Sequence, residues 1–190
     1  MSLVLNEEQV MLREAATDFL NSRAPVSHLR QLRDCREPTG FSAALWAEMA
    51  DMGWAAILIP EAYGGLTYGY TGLGLVLEQT GRTLSPSPLL STALLGAGVL
   101  LLSGNKTQSE QWLPEIATGN ALLALAFEES DRHRPARVET RAEPDDSGYR
   151  LNGNKLAIMD GSTADAFIVS ARTRPGDQDG NGISLFLVSA

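Results

Sequence analysis

The sequence contains few cysteines, histidines and basic residues, and each shortage excludes a class of protein. Cys35 is the single cysteine in 190 residues, so no disulfide can form within the chain, which favours a cytoplasmic location. One cysteine and two histidines do not make a zinc ligand set, and we expect no metal site. The 15 basic residues against 23 acidic ones give a net charge of -8, which argues against nucleic acid as the main partner.

Long hydrophobic runs are also missing. The longest apolar stretch, residues 89–102, is interrupted by serine, threonine and glycine. A membrane-spanning helix needs about 20 consecutive apolar residues. We therefore expect no membrane span and interpret this stretch as a buried helix.

The first 120 residues have the spacing of apolar residues that is typical of helices. Asn6 is a suitable N-cap, and Gln9 stands where a capping-box partner belongs. Apolar residues at helical spacing predict further helices over 42–52, 71–82, 89–102 and 107–117.

The pattern changes after residue 120. Strand-like apolar or alternating segments occupy 121–127, 149–153, 166–170 and 183–188, separated by Gly-, Asp-, Asn- and Pro-rich turns at 144–148, 160–163 and 175–182. The sequence therefore predicts an α+β protein with a helical domain over 1–120 and a β-domain over 121–190.

The segment GWAAILIPEAYGG, residues 53–65, combines a buried run with a turn. The apolar residues 55–59 are followed by Pro60, which ends the preceding element, and by Gly64 and Gly65. A glycine pair permits positive φ or the close approach of another group. The segment suits a wall that packs on one side and meets a ligand on the other. Nearby tyrosines at 63, 68 and 70 would either line an acyl channel or pack internally.

This segment resembles the acyl-CoA dehydrogenase family, as do residues 5–9 and 147–174, and the three occur in the family's order. The resemblance implies an N-terminal α-helical bundle followed by a partial antiparallel β-barrel or sandwich, with the family's C-terminal helical bundle absent from this sequence. It also implies FAD as cofactor, α,β-dehydrogenation of an acyl-CoA substrate, an electron-transfer flavoprotein or similar acceptor, and a homo- or hetero-oligomer.

The family's catalytic glutamate lies in its C-terminal bundle, so the resemblance assigns no catalytic residue here, and these 190 residues alone should be inactive. It implies flavin binding, mainly through the backbone, at Phe127, Glu128, Ile158 and Met159, and substrate binding at His133. The sequence departs from the family where Phe127 and Met159 replace hydroxyl-bearing residues. Ala157 likewise replaces an aromatic residue that packs on the flavin.

These departures leave alternatives open. The chain could be a non-catalytic partner subunit of a heteromeric acyl-CoA dehydrogenase with a degraded flavin site, or a cofactor-free helical interaction domain. A basic cluster, Arg132, His133, Arg134 and Arg137, would either meet CoA or FAD phosphates or form a solvated loop.

Overall fold

The computed structural model describes residues 4–103, 105–146, 148–174 and 180–190. The chain divides into two compact units, Met1–Ala121 and Leu122–Ala190. Helices form the first unit and strands the second, so the predicted α+β class is confirmed. No helix in the described ranges has the length and apolar character needed to cross a membrane.

The helical unit has six α-helices in its described residues. They are α1 (Glu7–Arg23), α2 (Val26–Cys35), α3 (Ala43–Asp51), α4 (Tyr70–Thr83), α5 (Ala97–Ser103) and α6 (Lys106–Ala117). A 3-10 turn covers Glu61–Tyr63, and a π-helical segment, Leu89–Gly96, leads directly into α5.

The N-terminal cap of α1 is formed as the sequence indicated. The Gln9 N–H donates to Asn6 Oδ1 at 2.8 Å, and the Asn6 N–H donates to Gln9 Oε1 at 3.1 Å. Each bond satisfies a backbone donor that the first helical turn leaves without a partner. The predicted capping box is therefore confirmed.

Helix α2 is not among the helices that the sequence predicts. Pro25 ends α1 but is also the N-cap residue of α2, at φ -61°. Proline is tolerated at a helix start, where its missing N–H costs no hydrogen bond. Val26, Leu29 and Leu32 recur at helical spacing, so the sequence does carry a signal for α2, although the helix buries no residue.

The predicted helix over 89–102 exists, but its first half has π-type rather than α-type winding. Helices α1, α3, α4, α5 and α6 and the π-helical segment all contribute buried residues to this unit. Its largest fully buried side chains are Trp54, Leu20, Met49, Ile57, Ile59, Leu73, Leu89, Leu113, Ile116, Gln79 and Val76.

The described residues of the second unit form a five-stranded sheet. Its strands are β1 (Leu123–Ala126), β2 (Arg141–Asp145), β3 (Gly148–Asn152), β4 (Ala166–Arg172) and β5 (Ile183–Ser189). This sheet excludes the interpretation of the chain as an all-helical domain.

The sheet is mixed: the antiparallel pairing that the family resemblance implied occurs together with parallel pairing. Strands β2 and β3 pair antiparallel, as do β4 and β5, but β4 pairs parallel with β1 and, at one position, with β2. The parallel pairing follows from the long connection between β1 and β4, which contains the β2–β3 hairpin.

The turn predicted over 144–148 includes residues that belong to strands. The cluster at 144–148 was interpreted as a connection, but Pro144 and Asp145 lie in β2, opposite Tyr149 and Gly148. Proline is tolerated in a strand where its missing donor is not needed. Ser147 of this turn and residues 175–179 of the last predicted turn lie outside the described residues.

Candidate functional site

The segment 53–69 folds back on its own buried run. Residues 55–59 are all buried, as predicted. The carbonyls of Ala56, Ile57 and Ile59 accept the N–H groups of residues 66, 68 and 67 at 2.9 to 3.0 Å. This satisfies backbone acceptors that burial would otherwise leave without partners.

The three tyrosines near this turn lie in different environments. Tyr68 packs on α4, since a Cβ on Gly72 would lie 2.1 Å from its ring. Its hydroxyl is buried without a hydrogen bond to any described residue. Burial raises the pKa of Tyr68, and the negative charge of Glu8 raises it further. Tyr63 is half-buried, whereas Tyr70 is exposed.

In the second unit, the structure brings together three of the predicted site residues. His133 Nδ1 lies at hydrogen-bonding distance from Glu128 Oε1, and Glu128 Oε2 accepts the Arg134 N–H at 3.2 Å. The rings of Phe127 and His133 meet edge to face, with centroids 6.0 Å apart. Phe127, Glu128 and His133 therefore form one cluster after β1.

A backbone hydrogen bond connects this cluster to the second predicted segment. The Leu156 N–H donates to the Glu128 carbonyl at 2.8 Å. The chain beyond Leu156 is irregular, with positive φ at Ala157 (50°) and Asp160 (53°). Ile158 and Met159 lie in this loop between β3 and β4, which we call the 156–160 loop.

The 156–160 loop presents both donors and apolar surface. The N–H groups of Ala157, Ile158 and Met159 donate to no acceptor among the described residues. Leu156 and Met159 are each 48% exposed. Adjacent backbone donors beside apolar side chains suit a ligand that has both acceptor atoms and apolar surface.

A buried ion pair beside this loop was missed at the level of the sequence. Lys155 Nζ lies 2.7 Å from Glu129 Oε1 and donates to Ser170 Oγ at 2.9 Å. The Glu129 carboxylate also accepts the N–H groups of Glu139 and Thr140.

The surroundings of Glu129 determine its charge. Burial opposes ionisation, but the hydrogen bond from Lys155 and those from Thr140 and the Glu139 backbone outweigh it. Together they lower the pKa of Glu129 to about 2. The carboxylate is therefore ionised at neutral pH and acts as a fixed negative charge rather than a proton acceptor.

The basic cluster is exposed. Arg132, His133, Arg134 and Arg137 are all accessible to solvent. Arg137 donates from Nη2 to Glu139 Oε1 at 3.0 Å. The geometry is that of a solvated loop in which part of the positive charge is already paired.

Comparison with known proteins identifies a family for this chain. Residues 6–120 match the family model "Acyl-CoA dehydrogenase, N-terminal domain". An acyl-CoA dehydrogenase of Bacillus subtilis is 31% identical over 188 residues, which cover 97% of this chain but 48% of that protein. The chain thus spans about half the length of the relatives it matches.

Solved structures agree over both units. The steroid ACAD Tcur3481–Tcur3483, in its G363A variant, shares 31% identity at a TM-score of 0.83, over 96% of this chain and 48% of that one. The ChsE4–ChsE5 complex from Mycobacterium tuberculosis shares 26% sequence identity at a TM-score of 0.85, over 100% of this chain and 49% of that one. The FAD complex of PigA shares 27% sequence identity at a TM-score of 0.81, over 100% of this chain and 50% of that one. This chain belongs to the acyl-CoA dehydrogenase family.

Proposed function

We propose that this chain is the flavin-binding part of an FAD-dependent acyl-CoA dehydrogenase that removes hydrogen from the α and β carbons of an acyl-CoA thioester. The observation that carries the proposal is the row of backbone donors at 157–159, without acceptors among the described residues and beside exposed Leu156 and Met159. When bound, FAD supplies the acceptor of the β-hydride.

The residues of this chain would bind and orient the cofactor. The N–H groups of Ala157, Ile158 and Met159 would donate to acceptor atoms on the edge of the flavin ring, and Phe127 would add apolar surface. The bond from Leu156 to the Glu128 carbonyl keeps the two segments adjacent. His133, whose imidazole is held by Glu128 at Nδ1, keeps Nε2 available for a polar group of the substrate.

Other parts of the reaction lie outside these residues. In this proposal the base that removes the α-proton comes from a further part of the protein or from a partner chain. An electron-transfer flavoprotein or similar acceptor reoxidises the flavin, the protein is a homo- or hetero-oligomer, and it works in the cytoplasm. These 190 residues alone would then bind flavin without turnover.

Flavin titration of the purified protein tests the proposal. Met159→Asp places a negative charge on the loop that would face the ring, and we expect it to weaken FAD binding by roughly tenfold or more. The matched control is Met11→Asp in α1, where the side chain is 67% exposed and far along the chain from the loop.

Protein fluorescence and the visible flavin spectrum report binding in both variants. Failure of the unchanged protein to take up FAD would reject the proposal. Equal FAD affinity of Met159→Asp and Met11→Asp would show that the flavin site does not lie at the 156–160 loop.

A second candidate is a non-catalytic partner subunit in which the flavin site has degraded. The observation that favours it is the contact of Phe127 with His133, because the family has a hydroxyl at the position of Phe127. The ChsE4–ChsE5 neighbour is itself a complex of two differently named chains. The number of FAD molecules bound per chain distinguishes the two candidates. One FAD per chain favours the flavin-binding part of an enzyme, whereas FAD binding only in the presence of a second subunit favours the non-catalytic partner subunit.

A further inference from the structure

The buried pair of Glu129 and Lys155 lies beside the backbone bond that connects the two segments of the proposed flavin site. Glu129 directly follows Glu128, and Lys155 directly precedes Leu156. The Leu156 N–H reaches the Glu128 carbonyl at 2.8 Å, and Lys155 Nζ reaches Glu129 Oε1 at 2.7 Å. The ion pair and the backbone bond therefore connect the same two segments at adjacent positions.

The same pair attaches both segments to the sheet. Lys155 donates to Ser170 in β4 at 2.9 Å, and Glu129 accepts the N–H groups of Glu139 and Thr140, just before β2. The side chains of Glu129 and Lys155 are only 10% and 7% exposed. At this burial, water cannot replace a lost partner without rearrangement of the chain.

Gly153 shows how tightly this region is packed. A Cβ on Gly153 would lie 2.4 Å from Thr140 Oγ1, so the chain entering the 156–160 loop runs directly against the residue that donates to Glu129. A shift of Lys155 would therefore be passed on to the loop, because there is no free space on this side to absorb it.

We propose that Glu129 and Lys155 are positioning residues for flavin, which hold residues 127–128 and the 156–160 loop at the spacing that the ring requires. This inference rests on the proposed function. The pair does not touch the reacting atoms; it acts through the backbone of its neighbours.

The test uses the complete protein with any subunit that copurifies. Lys155→Met and Glu129→Gln each break the pair, Lys155→Arg keeps the positive charge, and Lys106→Met is the matched control. Lys106 forms an exposed pair with Glu110 at 3.4 Å, and its side chain is 80% exposed. FAD affinity is measured by titration, and hydrogen–deuterium exchange of the flavin-free protein is measured over 127–130 and 155–161.

We expect Lys155→Met and Glu129→Gln to weaken FAD binding by roughly tenfold or more and to speed exchange in those two segments. Lys155→Arg should recover most of the affinity, and Lys106→Met should change neither quantity. If a single variant does not fold, the double variant Glu129→Gln/Lys155→Met removes both charges, leaves no unpaired buried ion and should still bind FAD poorly.

The outcomes separate this inference from the proposed function. If the unchanged protein binds FAD and folded Lys155→Met binds it within about threefold, the pair is purely structural and the inference is wrong. If the unchanged protein binds no FAD, the proposed function fails and the positioning role fails with it.

Discussion

Gly65 lies directly against the backbone of Ile59. A Cβ on Gly65 would stand 2.0 Å from the Ile59 carbonyl oxygen and 2.3 Å from its carbon. The adjacent Gly64 has open space around it but adopts φ +80°. The two glycines are therefore required for different reasons, one for close approach and the other for its backbone conformation.

Alanine at each glycine separates these two requirements. Gly65→Ala must displace the backbone of a fully buried residue, and we expect it to lower the free energy of unfolding by roughly 3 kcal/mol or more. Gly64→Ala meets only the strain of positive φ, about 1 to 2 kcal/mol. Urea unfolding of both variants measures the difference. Equal losses of unfolding free energy in the two variants would show that the backbone around Ile59 moves aside for the added Cβ at little cost.

This pair also shows what the sequence could predict. The pattern of an apolar run, proline and two glycines located the buried run and indicated that positive φ or close approach was needed. It could not assign the two reasons to the two positions, because the Ile59 carbonyl reaches Gly65 only after the chain turns at Glu61–Tyr63.

The core of the helical unit offers a matched pair of methionines. Met49 in α3 is fully buried, whereas Met11 in α1 is 67% exposed. We expect Met49→Ala to cost about 2 to 5 kcal/mol, through lost burial and the cavity left behind. Met11→Ala should stay within about 0.5 kcal/mol of the unchanged protein. Thermal and urea unfolding check both, and a Met49→Ala loss below about 1 kcal/mol would mean that the core collapses into the space.

A tryptophan side chain connects α3 to the turn that follows α6. Trp46 Nε1 donates to the Gly119 carbonyl at 2.9 Å, and Trp46 is 6% exposed. We expect Trp46→Phe to cost roughly 1 to 3 kcal/mol, because the carbonyl loses its donor and the smaller ring leaves space. Trp112→Phe, at a half-buried position in α6, is the control and should cost less. Equal losses would make the hydrogen bond to Gly119 unimportant for stability.

The positions of β1, β3, β4 and β5 were predictable from the sequence, but β2, the strand pairing and the buried ion pair were not. Apolar alternation located β3, β4 and β5 to within a few residues, since each strand carries its own pattern. The parallel pairing of β1 with β4 joins residues about forty positions apart, as in Leu123 opposite Ala166. Glu129 and Lys155 are separated by 26 positions, and neither has a neighbour along the chain that indicates its partner.

The depressed pKa of Glu129 predicts a specific response to acid. The value is about 2 in the folded protein against 4.5 for an ordinary glutamate, so the ionised carboxylate stabilises the fold fully above about pH 4.5. This contribution, roughly 3 kcal/mol, is lost as pH falls from 4.5 towards 2.

Lys155→Met removes the main partner that lowers the pKa of Glu129, so the stability deficit of this variant should be largest near pH 6 and should shrink below pH 4. Urea unfolding at pH 6, 4 and 3 measures the deficit, with Lys106→Met as the exposed control. A deficit that stays constant across this range would mean that Glu129 is not stabilised as an anion by Lys155.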